Sequence, residues 1–234
     1  MTERLKNGSR PRDPENFRGK LLQEEFRNFL TKSDYTIPVD SEAVVVLSGP
    51  IALDAKGDVM AKTAADDIAR IHMGIEVARA IVSKRLNKET YTLTPDEIRT
   101  HAPALVLNGT TDQLVAMKKI ALDAFFPIEK IEVLDCGAPG VGNTKTQFEV
   151  MNSDERYNKN KKMTFITNAW HAPRVARTGD KNLKQGIDFD IIPVPLERVP
   201  YNIFSVRGEV RRIEIYSVKG DIKRQPKRGI PKKG

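Results

Sequence analysis

The residue types best suited to chemistry cluster in TFITNAWHAPRVAR, Thr164 to Arg177. There an apolar run stops, and the single tryptophan, one of three histidines, a proline and two arginines follow. His171 can carry a proton, donate a hydrogen bond to an anion, or cap a helix. Pro173 suits the first helical position, which places Arg174 and Arg177 in or near a first turn. A cation there opposes the positive end of the helix dipole. It needs an acidic neighbour, exposure to water, or a bound anion. Thr167, Asn168 and Trp170 lead up to His171, with Trp170 read as a pocket wall.

A second cluster is CGAPGVGNTKTQ, Cys136 to Gln147. Gly140 and Gly142 allow tight turns with exposed N–H groups, and Asn143 and Thr144 open a helix, a natural anion site. The competing reading is a capping box, Thr144-x-x-Gln147, which satisfies those donors without a ligand. The loop matches neither the Walker lysine pattern nor the dinucleotide fingerprint. Arg70 lies one turn from Asp66 and Asp67, so a surface ion pair is its default explanation; a phosphate-neutralising role is the alternative. Asp188-Phe189-Asp190 has the spacing of a metal-binding triplet, but it falls at the start of a strand. There is no Cys/His cluster, H-E-x-x-H or G-x-S-x-G. No cofactor is expected, and a divalent metal is left open.

These residues need elements to position them. Short apolar runs at Ala43 to Leu47, Ala104 to Leu107, KIEVLD, KMTFITNAWH and FDIIPVPL read as buried strands. Between them lie helical patterns. One opens near Thr63 with Asp66 and Asp67 in its first turn, and another runs from about Gln113 to Phe125. Two more follow the glycine loop and Pro173, and a last one is capped by Ser205. The alternation predicts an α/β fold: a Rossmann-like three-layer sandwich with a mainly parallel sheet of about five strands. Ligands of such sheets sit outside the carboxyl ends of the strands. Those ends carry Gly49, Asn108, Gly109, the glycine loop and Thr167 to His171.

The organisation predicted is a disordered 1–16, a leading helix and linker over 17–40, an α/β domain over 41–220 with a polar insertion at 85–103, and a basic disordered tail over 221–234. The net charge is +8, but Lys219 to Gly234 holds seven Lys or Arg against one acid, so the rest of the chain carries only +2. That asymmetry points to weak polyanion contact by the tail rather than a basic core. A lone cysteine, no apolar run long enough to span a bilayer and no signal-peptide pattern suggest a cytoplasmic protein.

Taken together, VVVLSGP, Arg70-Ile71 with Gly74, LVLNGT, GNTKTQ, ITNAWHAPRVA, and Glu209, Tyr216 and Gly220 resemble the DUF218 family, the YdcF/SanA/ElyC-like proteins. The resemblance covers about residues 42–220. It implies a Rossmann-like fold with a site at the strand ends; some family members are linked to envelope biogenesis. Three departures matter. Asn108-Gly109-Thr110 replaces Ser-Gly-Gly, and Gln113 and Gln147 stand where the family has acids. An amide cannot take a proton at neutral pH, so base catalysis from those positions is not expected, and the pocket becomes more cationic.

The expected function is binding, with hydrolysis or transfer as a further step, of a phosphorylated small molecule such as a nucleotide, sugar phosphate or lipid-linked phosphate. Gly140, Gly142, Asn143 and Thr144 would bind the anion, Arg70 and Arg174 would neutralise it, and His171 would act as general acid or hydrogen-bond donor. The alternatives are a non-catalytic metabolite-binding module and nucleic-acid binding through the tail.

Overall fold

The five apolar runs pair into one sheet: β1 (Ala43–Leu47), β2 (Ala104–Gly109), β3 (Ile131–Asp135), β4 (Lys162–Asn168) and β5 (Asp188–Val194). In the computed structural model, which describes residues 20–31, 35–49, 61–137, 143–157, 161–199, 203–225 and 227–229, the order is β3-β2-β1-β4-β5. Every pairing is parallel, with Val45 set against both Val106 and Phe165. All five residues of β1 are buried, which is why the run reads as continuous rather than alternating.

The helices are α1 (Lys20–Thr31), α2 (Ala61–Leu86), α3 (Pro95–His101), α4 (Thr111–Asp123), α5 (Thr144–Ser153), α6 (Ala172–Asn182) and α7 (Ile203–Lys219). Val44 and Val46 of β1 face a core built with Ile71, Ile75 and Ala78 of α2 and Met117 of α4. Val45 and Leu47 face the opposite core, with Phe148 of α5, Val175 of α6 and Phe29 of α1. This is a Rossmann-like three-layer α/β sandwich. Phe165 anchors the second core, edge-on to Phe148 at 5.1 Å and to Phe189 at 5.5 Å. Such aromatic pairs add about 1 kcal/mol each beyond their burial.

The topology places the site. From β1 the chain steps outward through α2 to β2 and through α4 to β3. It then returns to lay β4 on the other side of β1 and continues through α6 to β5. Right-handed crossovers in opposite directions put the two helix sets on opposite faces, so the loops after β1 and β4 diverge and leave a crevice.

Several boundaries differ from expectation. α2 starts at Ala61, so Asp66 and Asp67 lie in its second turn. Ser205 lies inside α7 rather than capping it. The polar stretch at 85–103 folds α3, closed at its start by a capping box between Thr94 and Glu97. The basic C-terminal segment is not a free tail over 221–225 and 227–229. Ile222 is buried with Phe26 and Ile213. Arg228 bonds the Asp180 carboxylate and the carbonyls of Leu183 and Ile187, and its guanidinium lies over the Phe189 ring. The expectation of disorder over 1–16 and the roles given to Gly140 and Gly142 lie outside the described residues.

Candidate functional site

The crevice between the carboxyl ends of β1 and β4 opens into a cleft of about 480 Å³. Its wall includes Ser48, Gly49, Arg70, Asn143, Thr144, Gln147, Trp170, His171, Arg174, Glu209 and Arg212. Arg70, reaching up from α2, is 3% exposed, so the ion pair expected for it with Asp67 forms but is buried rather than on the surface. Its Nε donates to Asn168 Oδ1 at 2.9 Å and its Nη1 to the Leu47 carbonyl at 3.0 Å. One side chain thus clamps the ends of β1 and β4 where they diverge. Asp67 pairs with it at 3.1 Å and accepts the Gly49 N–H at 2.7 Å. Burial nevertheless outweighs Arg70 and holds the Asp67 carboxyl above its ordinary range.

Gly49 and Gly109, named at the strand ends as ligand-binding residues, are both closely packed, and Gly49 also lines the cleft. A Cβ on Gly49 would lie 2.8 Å from Asp67 Oδ1, and one on Gly109 would lie 2.5 Å from Ser48 Oγ. Asn108 is fully buried; its Nδ2 donates to the Gln147 carbonyl at 3.0 Å, and its Oδ1 accepts from Cys136 Sγ. It ties β2 to α5 and does not reach the ligand space. Burial beside Asp135 pushes the Cys136 thiol up to about 11, which leaves it a poor nucleophile.

The capping box expected at Thr144-x-x-Gln147 does not form, and the N-cap lies one residue earlier. Asn143 is the N-cap, its Oδ1 accepting from the N–H groups of Lys145 and Thr146. Thr144 and Gln147 are thereby freed to face the cleft. Gln147 Nε2 donates to the Asn108 carbonyl at 3.0 Å and to Ser48 Oγ at 3.2 Å. Gln113 of α4 accepts from Ser48 Oγ at 2.7 Å and from the Thr110 N–H at 2.9 Å. Both amides at positions of interest therefore organise the floor through Ser48.

His171 is the N-cap residue of α6, but its side chain makes no cap bond. Its ring Nδ1 lies 2.9 Å from Thr167 Oγ1 and its Nε2 lies 3.4 Å from Thr144 Oγ1, with Trp170 tilted against one face. Burial, with Arg174, Arg70 and Arg212 nearby, holds the imidazole well below the ordinary histidine value. That shift disfavours the imidazolium and so argues against the general-acid role expected for it.

Arg174 has the acidic neighbour its position calls for. Its Nε donates to Glu209 Oε2 at 2.5 Å, and its Nη1 to Thr144 Oγ1 at 2.9 Å. Arg212 reaches the other oxygen of Glu209 at 2.6 Å. Glu209 is fully buried, whereas the Arg212 side chain is 53% exposed. The helix-dipole argument for a bound anion is thus answered within the protein for Arg174, yet Arg174 and Arg212 share one carboxylate, while Arg70 has Asp67 as its own partner. Arg177, the other arginine of the motif, turns away to Glu25 of α1 and the Arg224 carbonyl. Asp188 and Asp190 lie at the far end of the sheet, at the start of β5.

Sequence reasoning brought His171, Arg174, Thr144, Gln147, Thr167, Asn168, Trp170 and Arg70 correctly to one place. It missed Arg212, Ser48 and the shared role of Glu209. Glu209, Arg212 and Tyr216 fall at i, i+3 and i+7 of α7, a one-face spacing that could have flagged them. Among the described residues no group of three or more His, Cys, Asp or Glu is arranged to hold a metal, and no helix is long and apolar enough to cross a membrane. No family model, curated protein or solved structure matches the chain.

Proposed function

We propose that the chain is a binding domain for a phosphorylated small molecule, with DUF218-like architecture and the anion seated between Thr144, Arg174 and Arg212. The observation that carries this reading is the cleft's charge pattern at the topological switch point. Three arginines line the cleft; Arg70 is paired with the buried Asp67, while Arg174 and Arg212 share the single carboxylate of Glu209, which leaves them one positive charge in excess. A partly exposed guanidinium such as Arg212 is suited to bidentate recognition of phosphate oxygens.

Binding is favoured over turnover by the state of the cleft's proton carriers. Burial and the neighbouring arginines disfavour the His171 imidazolium, both its ring nitrogens are engaged by threonines, and Gln113 and Gln147 are amides. Native mass spectrometry of freshly purified protein tests the reading. The expected result is a co-purifying species that carries phosphate and is lost from Arg212→Ala. A ligand retained equally by that variant would place binding elsewhere. Rapid turnover of phosphoesters abolished by His171→Ala would replace the binding reading with a catalytic one.

A further inference from the structure

The protons of the His171 cluster can be counted. Thr167 Oγ1 is fully enclosed at the end of β4, and its hydrogen-bonding neighbour is His171 Nδ1 at 2.9 Å. A buried hydroxyl proton needs an acceptor, so Nδ1 accepts it. A neutral ring then carries its own hydrogen on Nε2, facing Thr144 Oγ1. That oxygen also accepts from Arg174 Nη1 at 2.9 Å. With both lone pairs engaged, the Thr144 hydroxyl directs its proton into the cleft it lines. Gln147 has the opposite polarity. Its Nε2 hydrogens go to the Asn108 carbonyl and Ser48 Oγ, which leaves its Oε1 as the end available to the cleft.

Resting on the anion reading above, we propose that the cleft selects phosphates that also carry a hydroxyl, such as sugar or polyol phosphates. Oxyanion oxygens take the Thr144 proton and the Arg212 guanidinium, and a ligand hydroxyl donates to Gln147 Oε1. In this arrangement His171 is a positioning residue: it fixes the direction of the Thr144 hydroxyl and exchanges no proton with the ligand. The matching of donors to acceptors confers selectivity because an unmatched buried polar group costs its full desolvation.

Two measurements on the unaltered full-length chain decide the matter. Long-range proton–nitrogen NMR of the histidine rings should show His171 protonated on Nε2 alone at pH 7; an Nδ1–H ring or an imidazolium overturns the assignment. Calorimetry should then rank glycerol 3-phosphate above propyl phosphate, which has the same carbon count without the hydroxyls, by about tenfold. Equal affinities overturn the hydroxyl selectivity while leaving the anion reading intact. Failure of inorganic phosphate and both esters to bind overturns the anion reading itself. As a third check, Thr144→Val should weaken inorganic phosphate by about tenfold and Thr144→Ser should not; unchanged affinity in Thr144→Val would show that the hydroxyl does not face the ligand.

Discussion

At the scale of single residues, the site depends on a carboxylate shared by two arginines and on a histidine whose charged form burial disfavours. Glu209 accepts from both Arg174 and Arg212 while fully buried. Glu209→Gln keeps the shape but removes the charge, which frees cationic character for a ligand. We expect it to tighten phosphate binding about tenfold while lowering stability by about 3 kcal/mol, read by calorimetry and by urea unfolding; weaker binding would contradict the anion reading. His171 makes a separate prediction about pH. Its value is depressed in the fold, so the unfolded chain binds a proton that the folded one refuses. Stability is therefore lost as pH falls below the ordinary histidine value of about 6.5. Relative to His171→Asn, the wild type should lose stability between pH 7 and pH 5, measured by urea unfolding at each pH. A constant difference across that range would show that the ring is not held neutral.

At the scale of elements, what was legible in the sequence was local, and what was missed joins distant segments. The strands were visible because runs such as AVVVL are apolar at every position, as a sheet covered on both faces requires. The strand-end loops followed from that, so His171, Thr144 and Arg70 could be gathered in one cleft without coordinates. The cap of α5 was misplaced by one residue because Asn143 and Thr144 are both good N-caps, and only the cleft decides which faces inward. The partner of Arg174 lies 35 residues away on α7, beyond the reach of any local pattern. The basic C-terminal segment read as solvated because lysine, glycine and proline dominate it, whereas Ile222 and Arg228 anchor it. Replacing Arg228 with Ala would take the guanidinium from Asp180, which is 8% exposed and would keep only the Lys227 N–H, and should cost about 2 kcal/mol in thermal or urea unfolding. A cost near zero would return the segment to the role of a tail.

At the scale of the whole molecule, net charge is a poor guide to function here. The excess of Lys and Arg is concentrated near the C-terminus, where Arg228 is committed to holding α6 and β5. In the binding function proposed above, the cationic feature that would meet the ligand is instead the small cleft at the switch point, where a reversal of strand order, a crossing arginine and the face of α7 converge. The most direct test of this account is calorimetric titration of inorganic phosphate into the full chain and into Arg212→Ala, whose exposed side chain can be removed without opening the core. Saturable binding at one site is expected, weakened at least about tenfold in the variant, which keeps Arg174 as the partner of Glu209. Absence of saturable binding, or equal binding by the variant, would contradict it.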